Sequence, residues 1–333
     1  MATYKGIQGY SVQSLSSDPT AASGSEGQFW YNSSTGKFKI TVAAAGSWAA
    51  GGNFLTAGTR SSASSGTQTA GLYSTGVQIG VPADTGPSTE YDGSTWTEVN
   101  NVNTPRTYAG GAGRQTAGLI FGGASPPNFT LIGGLTEAYD GTSWTTVNPL
   151  NNSRYYVGST NYAPAGACLV LGGTPTPYDY VEEYDGTSWT EIADINTGRY
   201  ALGGAGTTTS AMAFAGIPPA GSVNDGLSES FNGTSWSETA DLNTGRDKCG
   251  AAGESNTSAL CYAGSPGYTG KTEKWDGSSW TEVGDLTNPR MALSAIGTAS
   301  LALGGGGYYT PGGGVATEEW TDPVYTIKTA TVS

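Results

Sequence analysis

Between Arg60 and residue 325, apolar positions come in short runs bounded by glycine. They do not recur at the three-to-four-residue spacing that lines one face of a helix. Gly118-Leu119-Ile120-Phe121-Gly122-Gly123 and Leu301-Ala302-Leu303-Gly304-Gly305 are two of these runs. Each follows an arginine-led segment of small residues, such as Tyr200-Ala201-Leu202-Gly203-Gly204-Ala205. After a variable loop comes an aromatic–turn–aromatic hexad: Tyr91–Trp96, Tyr139–Trp144, Tyr184–Trp189, Phe231–Trp236, Trp275–Trp280 and, in worn form, Trp320–Tyr325. This pattern predicts four short strands per unit, with Arg60, Arg106, Arg154, Arg199, Arg246 and Arg290 opening six units. Successive hexad tryptophans from Trp96 to Trp280 stand 44 to 48 residues apart, the spacing of propeller repeats. The expected fold class is all-β, a six-bladed β-propeller with an N-terminal extension.

A four-stranded sheet cannot bury both faces alone, whereas six arranged radially bury their faces on one another. Near the axis the space is narrow, so alanine and glycine are expected in the innermost strand. Separation between blades grows outward, so the tryptophan of the outer strand is expected to fill the wedge. Asp-Gly in the turns at Asp92, Asp140, Asp185 and Asp276 is a hairpin signal, because glycine tolerates positive φ.

Residues 1–45 differ from the repeats, and the domain division is set at 1–45 and 46–333. Gln28-Phe29-Trp30-Tyr31 and Lys37-Phe38-Lys39-Ile40 flank Asn32–Gly36, a hairpin signal. Gly46-Ser47-Trp48 imitates the end of the hexad with no inner strands before it. The segment around Trp48 is therefore expected to close the blade opened by Arg290, in place of or beside a strand at 325–333. Residues 1–45 are too polar to form a core of their own and read as an attachment segment.

Composition narrows the chemistry. Glycine is 53 of 333 residues and charged residues only 12%, which suits many strands joined by tight turns rather than disorder. The net charge of −13, with no basic run, argues against a nucleic-acid partner. The chain has no histidine, which removes histidine-dependent triads, dyads and imidazole metal sites; no metal or cofactor is expected. Cys168 and Cys261 fall at matching places in two repeats and read as buried apolar residues. Cys249 stands across a hairpin from Cys261, a spacing that does not by itself establish a bridge. Paired carboxylates such as Glu182-Glu183 and Glu318-Glu319 border the third strand, where one of each pair is expected to face solvent. The N-terminus carries no signal-peptide core and no run reaches membrane-span length, so synthesis in a cytoplasm without membrane insertion is expected.

The order arginine, apolar strand, Gly-Gly, aromatic, turn, tryptophan resembles the kelch repeat over residues 60–325. It departs at Thr75-Gly76, Ala215-Gly216 and Ala263-Gly264, and at Tyr325 in the place of a tryptophan. Trp30-Tyr31-Asn32-Ser33-Ser34-Thr35-Gly36-Lys37 followed by repeats ending Tyr-Asp-Gly-Thr-Ser-Trp-Thr is similar to kelch-like proteins of tailed bacteriophages, marine ones especially. That resemblance implies a non-enzymatic virion component made in the host cytoplasm: a tail fibre or appendage, or a capsid-decorating protein. Its implied partners are other virion proteins, through residues 1–45, and a host-surface glycan or protein. A free-standing carbohydrate-binding module and a hydrolase on the same fold are the alternatives. Loops carry recognition on a rigid scaffold, and tyrosine offers a large contact area with few rotatable bonds. Phe129, Tyr178, Tyr180, Tyr268, Tyr308 and Tyr309, all in the variable loops, are therefore expected to crowd one face and bind.

Overall fold

The computed structural model describes residues 12–21, 25, 27–55, 63–76, 86–125, 128–219, 226–309 and 312–330. Among these residues there is no helix, and nearly all regular structure lies in four-stranded sheets. Arg60, which was expected to open the first unit, lies outside the described residues. The chain divides into two compact units, one of Met1–Gly46 with Asp322–Ser333 and one of Ser47–Thr321.

In the first unit the strand order is Gln13–Leu15, Phe29–Asn32, Lys37–Ala44, Val324–Thr329. The central pair turns at residues 33–36, and Gln13–Leu15 runs parallel to Phe29–Asn32. Trp30 is buried, and Asp18 accepts hydrogen bonds from its indole N–H (3.0 Å) and from Asn32 Nδ2 (2.6 Å). The C-terminal strand pairs with Lys37–Ala44, not with the repeats.

The second unit holds six four-stranded antiparallel sheets, an arrangement consistent with a propeller. Their inner strands are Ala63–Thr67, Gly110–Arg114, Gly158–Ser159, Gly203–Gly206, Gly250–Ser255 and Ser294–Gly297. Small residues are required because neighbouring inner strands nearly touch. A Cβ on Gly111 would sit 2.6 Å from the Ser64 carbonyl oxygen, and one on Gly204 2.6 Å from that of Ser159. The second strands, such as Cys168–Leu171 and Ala211–Phe214, are buried throughout, since both faces meet a neighbouring sheet. Each inner strand adjoins those of two other sheets, and the sixth adjoins the first.

Six apolar clusters lie between successive sheets. The one between the sixth and first contains Phe54, Tyr73, Tyr91, Trp96, Ile296 and Leu303. The outer-strand tryptophans Trp96, Trp144, Trp189, Trp236 and Trp280 are all buried in these wedges. Each indole N–H donates to the preceding sheet or the segment leaving it: Trp189 to Thr136 Oγ1 (3.2 Å), Trp236 to Ala193 O (2.9 Å), Trp280 to Ser228 Oγ (3.1 Å).

The sixth sheet takes its outer strand from far away in sequence. Ser47–Ala50 pairs antiparallel with Glu318–Thr321, and Trp48 stands opposite Trp320 as Trp189 stands opposite Tyr184. Trp48 donates to Thr272 Oγ1 of the fifth sheet at 3.0 Å. The missing tryptophan of the last hexad is thus Trp48. Tyr325, assigned that role from the worn motif, lies instead in the strand beside Lys37–Ala44.

Two outcomes test this account. Trp48→Ala should destabilise the second unit as much as Trp189→Ala, each by about 3–5 kcal/mol, as measured by chemical denaturation. The second outcome concerns the turn aspartates. The Ser279 N–H, helped by Ser278, lowers Asp276 from the ordinary 3.8 to about 2. A carboxyl depressed in the folded state stabilises it above the unfolded pKa, and that stabilisation is lost as pH falls through the folded value. Melting temperature should therefore fall between pH about 4 and about 2, less steeply in Asp276→Asn. Asn232 already makes the same turn, accepting from Thr234 N (2.9 Å) and Ser235 N (3.0 Å).

Candidate functional site

The arginine-led loops shape one end of the second unit. In five sheets the arginine is buried and ion-paired to a buried glutamate of its own third strand: Arg106–Glu137, Arg154–Glu182 (3.1 Å), Arg199–Glu229 (3.1 Å), Arg246–Glu273 and Arg290–Glu318 (3.1 Å). The glutamate also accepts from backbone N–H groups just before the arginine, as Glu182 does from Asn151 (2.8 Å) and Asn152 (3.3 Å). The arginine's own carbonyl reaches the preceding sheet: Gly123 N donates to Arg154 O (2.9 Å) and Gly173 N to Arg199 O (3.0 Å). Burial lowers Arg106 to about 10 against the pull of Glu137, so it stays charged at neutral pH. Glu182 of the adjacent pair is buried and Glu183 only half-buried, so the inward carboxylate serves the arginine.

Two residues after each arginine the chain turns down into the inner strand through left-handed backbone. Tyr108, Tyr156, Ala201, Lys248 and Ala292 have φ between 50 and 57°, a conformation that costs a non-glycine residue roughly 1 kcal/mol or more. What holds it is a chain of backbone hydrogen bonds from sheet to sheet. Tyr156 N donates to Tyr108 O (2.9 Å), Ala201 N to Tyr156 O (2.7 Å), Lys248 N to Ala201 O (3.0 Å) and Ala292 N to Lys248 O (2.9 Å). The side chains at these positions surround a recess of about 100 Å³, lined by Tyr108, Tyr156, Lys248, Cys249 and Leu293 among others.

A track of aromatic rings crosses this end over the second to fourth sheets. Tyr108 and Tyr156 stack at 3.8 Å between centroids. Phe129 lies 5.6 Å from Tyr108, Tyr200 6.1 Å from Tyr156, and Tyr178 5.8 Å from Tyr200. Lys248 Nζ stands 6.0 Å from the Tyr156 ring centre. Burial first, and the hydrogen bond with Tyr108 second, push the Tyr156 phenol far up, so it remains a neutral hydroxyl. Tyr268 and Tyr308 form a separate pair at 5.6 Å, over the fifth and sixth sheets.

Of the six loop residues expected to bind, Phe129 and Tyr178 thus join the track, and Tyr268 and Tyr308 the pair. Tyr180 enters neither; its carbonyl accepts from Arg154 Nη1 (3.0 Å) and Gly172 N (2.9 Å). Tyr309 sits opposite Gly312 in a two-stranded hairpin. The residues that join the groups, Tyr108, Tyr156 and Tyr200, were missed. Their signal is an aromatic one or two places after the repeated arginine. Cys168, Cys249 and Cys261 are all free.

No family model and no curated protein matches the chain. Among solved structures, that of YjhT aligns with 83% of this chain and 99% of its own, at a TM-score of 0.65 and 12% identity. At that identity the likeness concerns the fold alone, which is β-propeller-like.

Glu182→Ala would leave the Arg154 guanidinium buried without a counter-charge and should cost about 3–5 kcal/mol. Combining Arg154→Met with Glu182→Leu should recover most of the loss, measured by urea unfolding of both variants.

Proposed function

We propose that this chain is a non-catalytic recognition protein, a kelch-like propeller of six blades carried on the virion of a tailed bacteriophage. In this reading the six sheets are the blades. The contact of the sixth inner strand with the first, together with the cluster around Phe54 and Trp96, supports ring closure. The arginine-loop face is the contact surface, and its ligand is a glycan of the host surface. The unit built from Met1–Gly46 and Asp322–Ser333 attaches the chain to other virion proteins.

The observation that carries the reading is the aromatic track from Phe129 to Tyr178. Rings held by packing lose little entropy on binding, and each tyrosine joins an apolar face to a hydroxyl. That pairing suits the apolar C–H faces and polar edges of sugar rings. The phage assignment rests on the resemblance of the hexads and of Trp30–Lys37 to phage proteins.

The purified chain should bind host-surface polysaccharide on a glycan array or by calorimetry. Combining Tyr108→Ala with Tyr200→Ala should weaken binding at least about tenfold, or ~1.4 kcal/mol, with the melting temperature little changed. Mass spectrometry of purified particles should find the chain in the virion. Undiminished binding by the double variant would remove the assignment of the face; absence from particles would leave a free-standing carbohydrate-binding module.

A further inference from the structure

Beneath the recess a second cavity of about 110 Å³ runs along the inner strands, lined by Ser64, Ser159, Gly204, Ala251, Ala295 and Asn161 among others. The two cavities share Ala109, Val157, Leu202, Cys249 and Leu293 in their walls, so one continues into the other. Along a strand the step is about 3.3 Å per residue. From Tyr156, two places after its arginine, to Asn161, seven places after, the chain therefore descends roughly 16 Å.

Asn161 breaks the repeat. At the end of the inner strand the other five sheets have a glycine with φ between 100 and 148°: Gly66, Gly113, Gly206, Gly253 and Gly297. A Cβ there would meet backbone at 2.1 to 2.5 Å. The third sheet instead ends its inner strand at Ser159 and passes through a longer loop, in which Ala163 N donates to Thr160 O (2.9 Å). The loop sends Asn161 across to the opposite sheets, where Nδ2 donates to Ala251 O (2.8 Å) and Ala295 O (2.7 Å). With both amide hydrogens committed to carbonyls, the amide orientation is fixed. Oδ1 is left buried without a donor, on a side chain only 6% exposed. A buried acceptor of this kind is costly unless a donor reaches it.

We propose that this axial well is a binding site for a small neutral hydroxyl-bearing group, a polyol or the hydroxymethyl arm of a sugar, whose O–H donates to Asn161 Oδ1. The group enters from the tyrosine-ringed mouth. Lys248 stands at that mouth and no carboxylate lines either cavity, so a cationic donor is disfavoured and a neutral one fits. Ser64 Oγ, which already donates to Ala295 O (2.8 Å), offers its lone pairs to a second hydroxyl. The site stands on Asn161 and the well alone, independently of the glycan reading of the tyrosine track.

The test is a titration of the full, isotope-labelled chain with glycerol, and separately with methylammonium, followed by amide NMR. Glycerol should give saturable shifts at Asn161, Ala251 and Ala295, together with intermolecular NOEs to the Asn161 side-chain amide. Asn161→Gly, which restores the residue type of the other five sheets, should weaken glycerol binding at least about tenfold, a loss of ~1.4 kcal/mol. Tyr268→Ala, remote from the well, should leave it unchanged. Absence of saturable shifts in the unsubstituted chain, or equal binding by Asn161→Gly, would overturn the site. Saturation by methylammonium and not by glycerol would overturn its chemistry. Should Asn161→Gly fail to fold, the NOEs on the unsubstituted chain decide alone.

Discussion

Everything else in the second unit is hung on the buried arginine–glutamate pair. One arginine closes three connections: its guanidinium holds the glutamate of its own sheet, its carbonyl holds a glycine N–H of the preceding sheet, and the residue after it bridges to the start of its own variable loop, as Tyr155 does to Thr174. Taking both charges out of water is expensive, and the pair is tolerable only because the carboxylate's oxygens are also met by backbone donors. An apolar pair of the same volume would pack as well but would fix neither the neighbouring loop nor the angle between sheets. The repetition of that pair in five of the sheets turns a local arrangement into a regular one.

The face that carries the tyrosines follows from this anchoring. Holding Tyr108, Tyr156 and Lys248 in left-handed backbone is unfavourable for each residue, and the sheet-to-sheet hydrogen bonds offset it only while the arginines keep neighbouring loops in register. The rings are therefore positioned by the scaffold rather than by the variable loops. Phe129 and Tyr178 reach the track from those loops and lengthen it at its two ends. Sequence variation in the loops can thus alter the reach of the surface without disturbing its centre.

Much of the fold was legible because one constraint was written many times. The arginine spacing, the small inner strands and the wedge tryptophans each recur, and Trp48 could be placed because its flanking residues copy the outer strand. Tyr325 misled because its spacing from Trp320 imitates the hexad, while the strand that completes the sheet lies some 270 residues earlier. The site was less visible. Tyr108, Tyr156 and Tyr200 adjoin a residue read as scaffold, and the loops beyond them drew attention by their irregularity. Glu182 and Glu183 looked alike as a pair; which one turns inward depends on the pleat, and its partner Arg154 lies 28 residues away. Asn161 carries no motif at all. Its role depends on carbonyls of two sheets that only the assembled unit brings within reach.

The pairing of Ser47–Ala50 with Glu318–Thr321 also governs the order in which the chain can mature. During synthesis the outer strand of the sixth sheet leaves the ribosome first, and its partner strand nearly last. Until then Trp48 has no wedge to enter, and the first sheet lacks the neighbour that covers Tyr73 and Trp96. Such a long separation raises contact order and slows the final step, leaving partly assembled sheets with open edges for as long as translation lasts. The last event should therefore be a single cooperative docking that covers both sides of the seam at once. Once made, that closure couples the stability of the first and sixth sheets, so that neither can open without exposing the other.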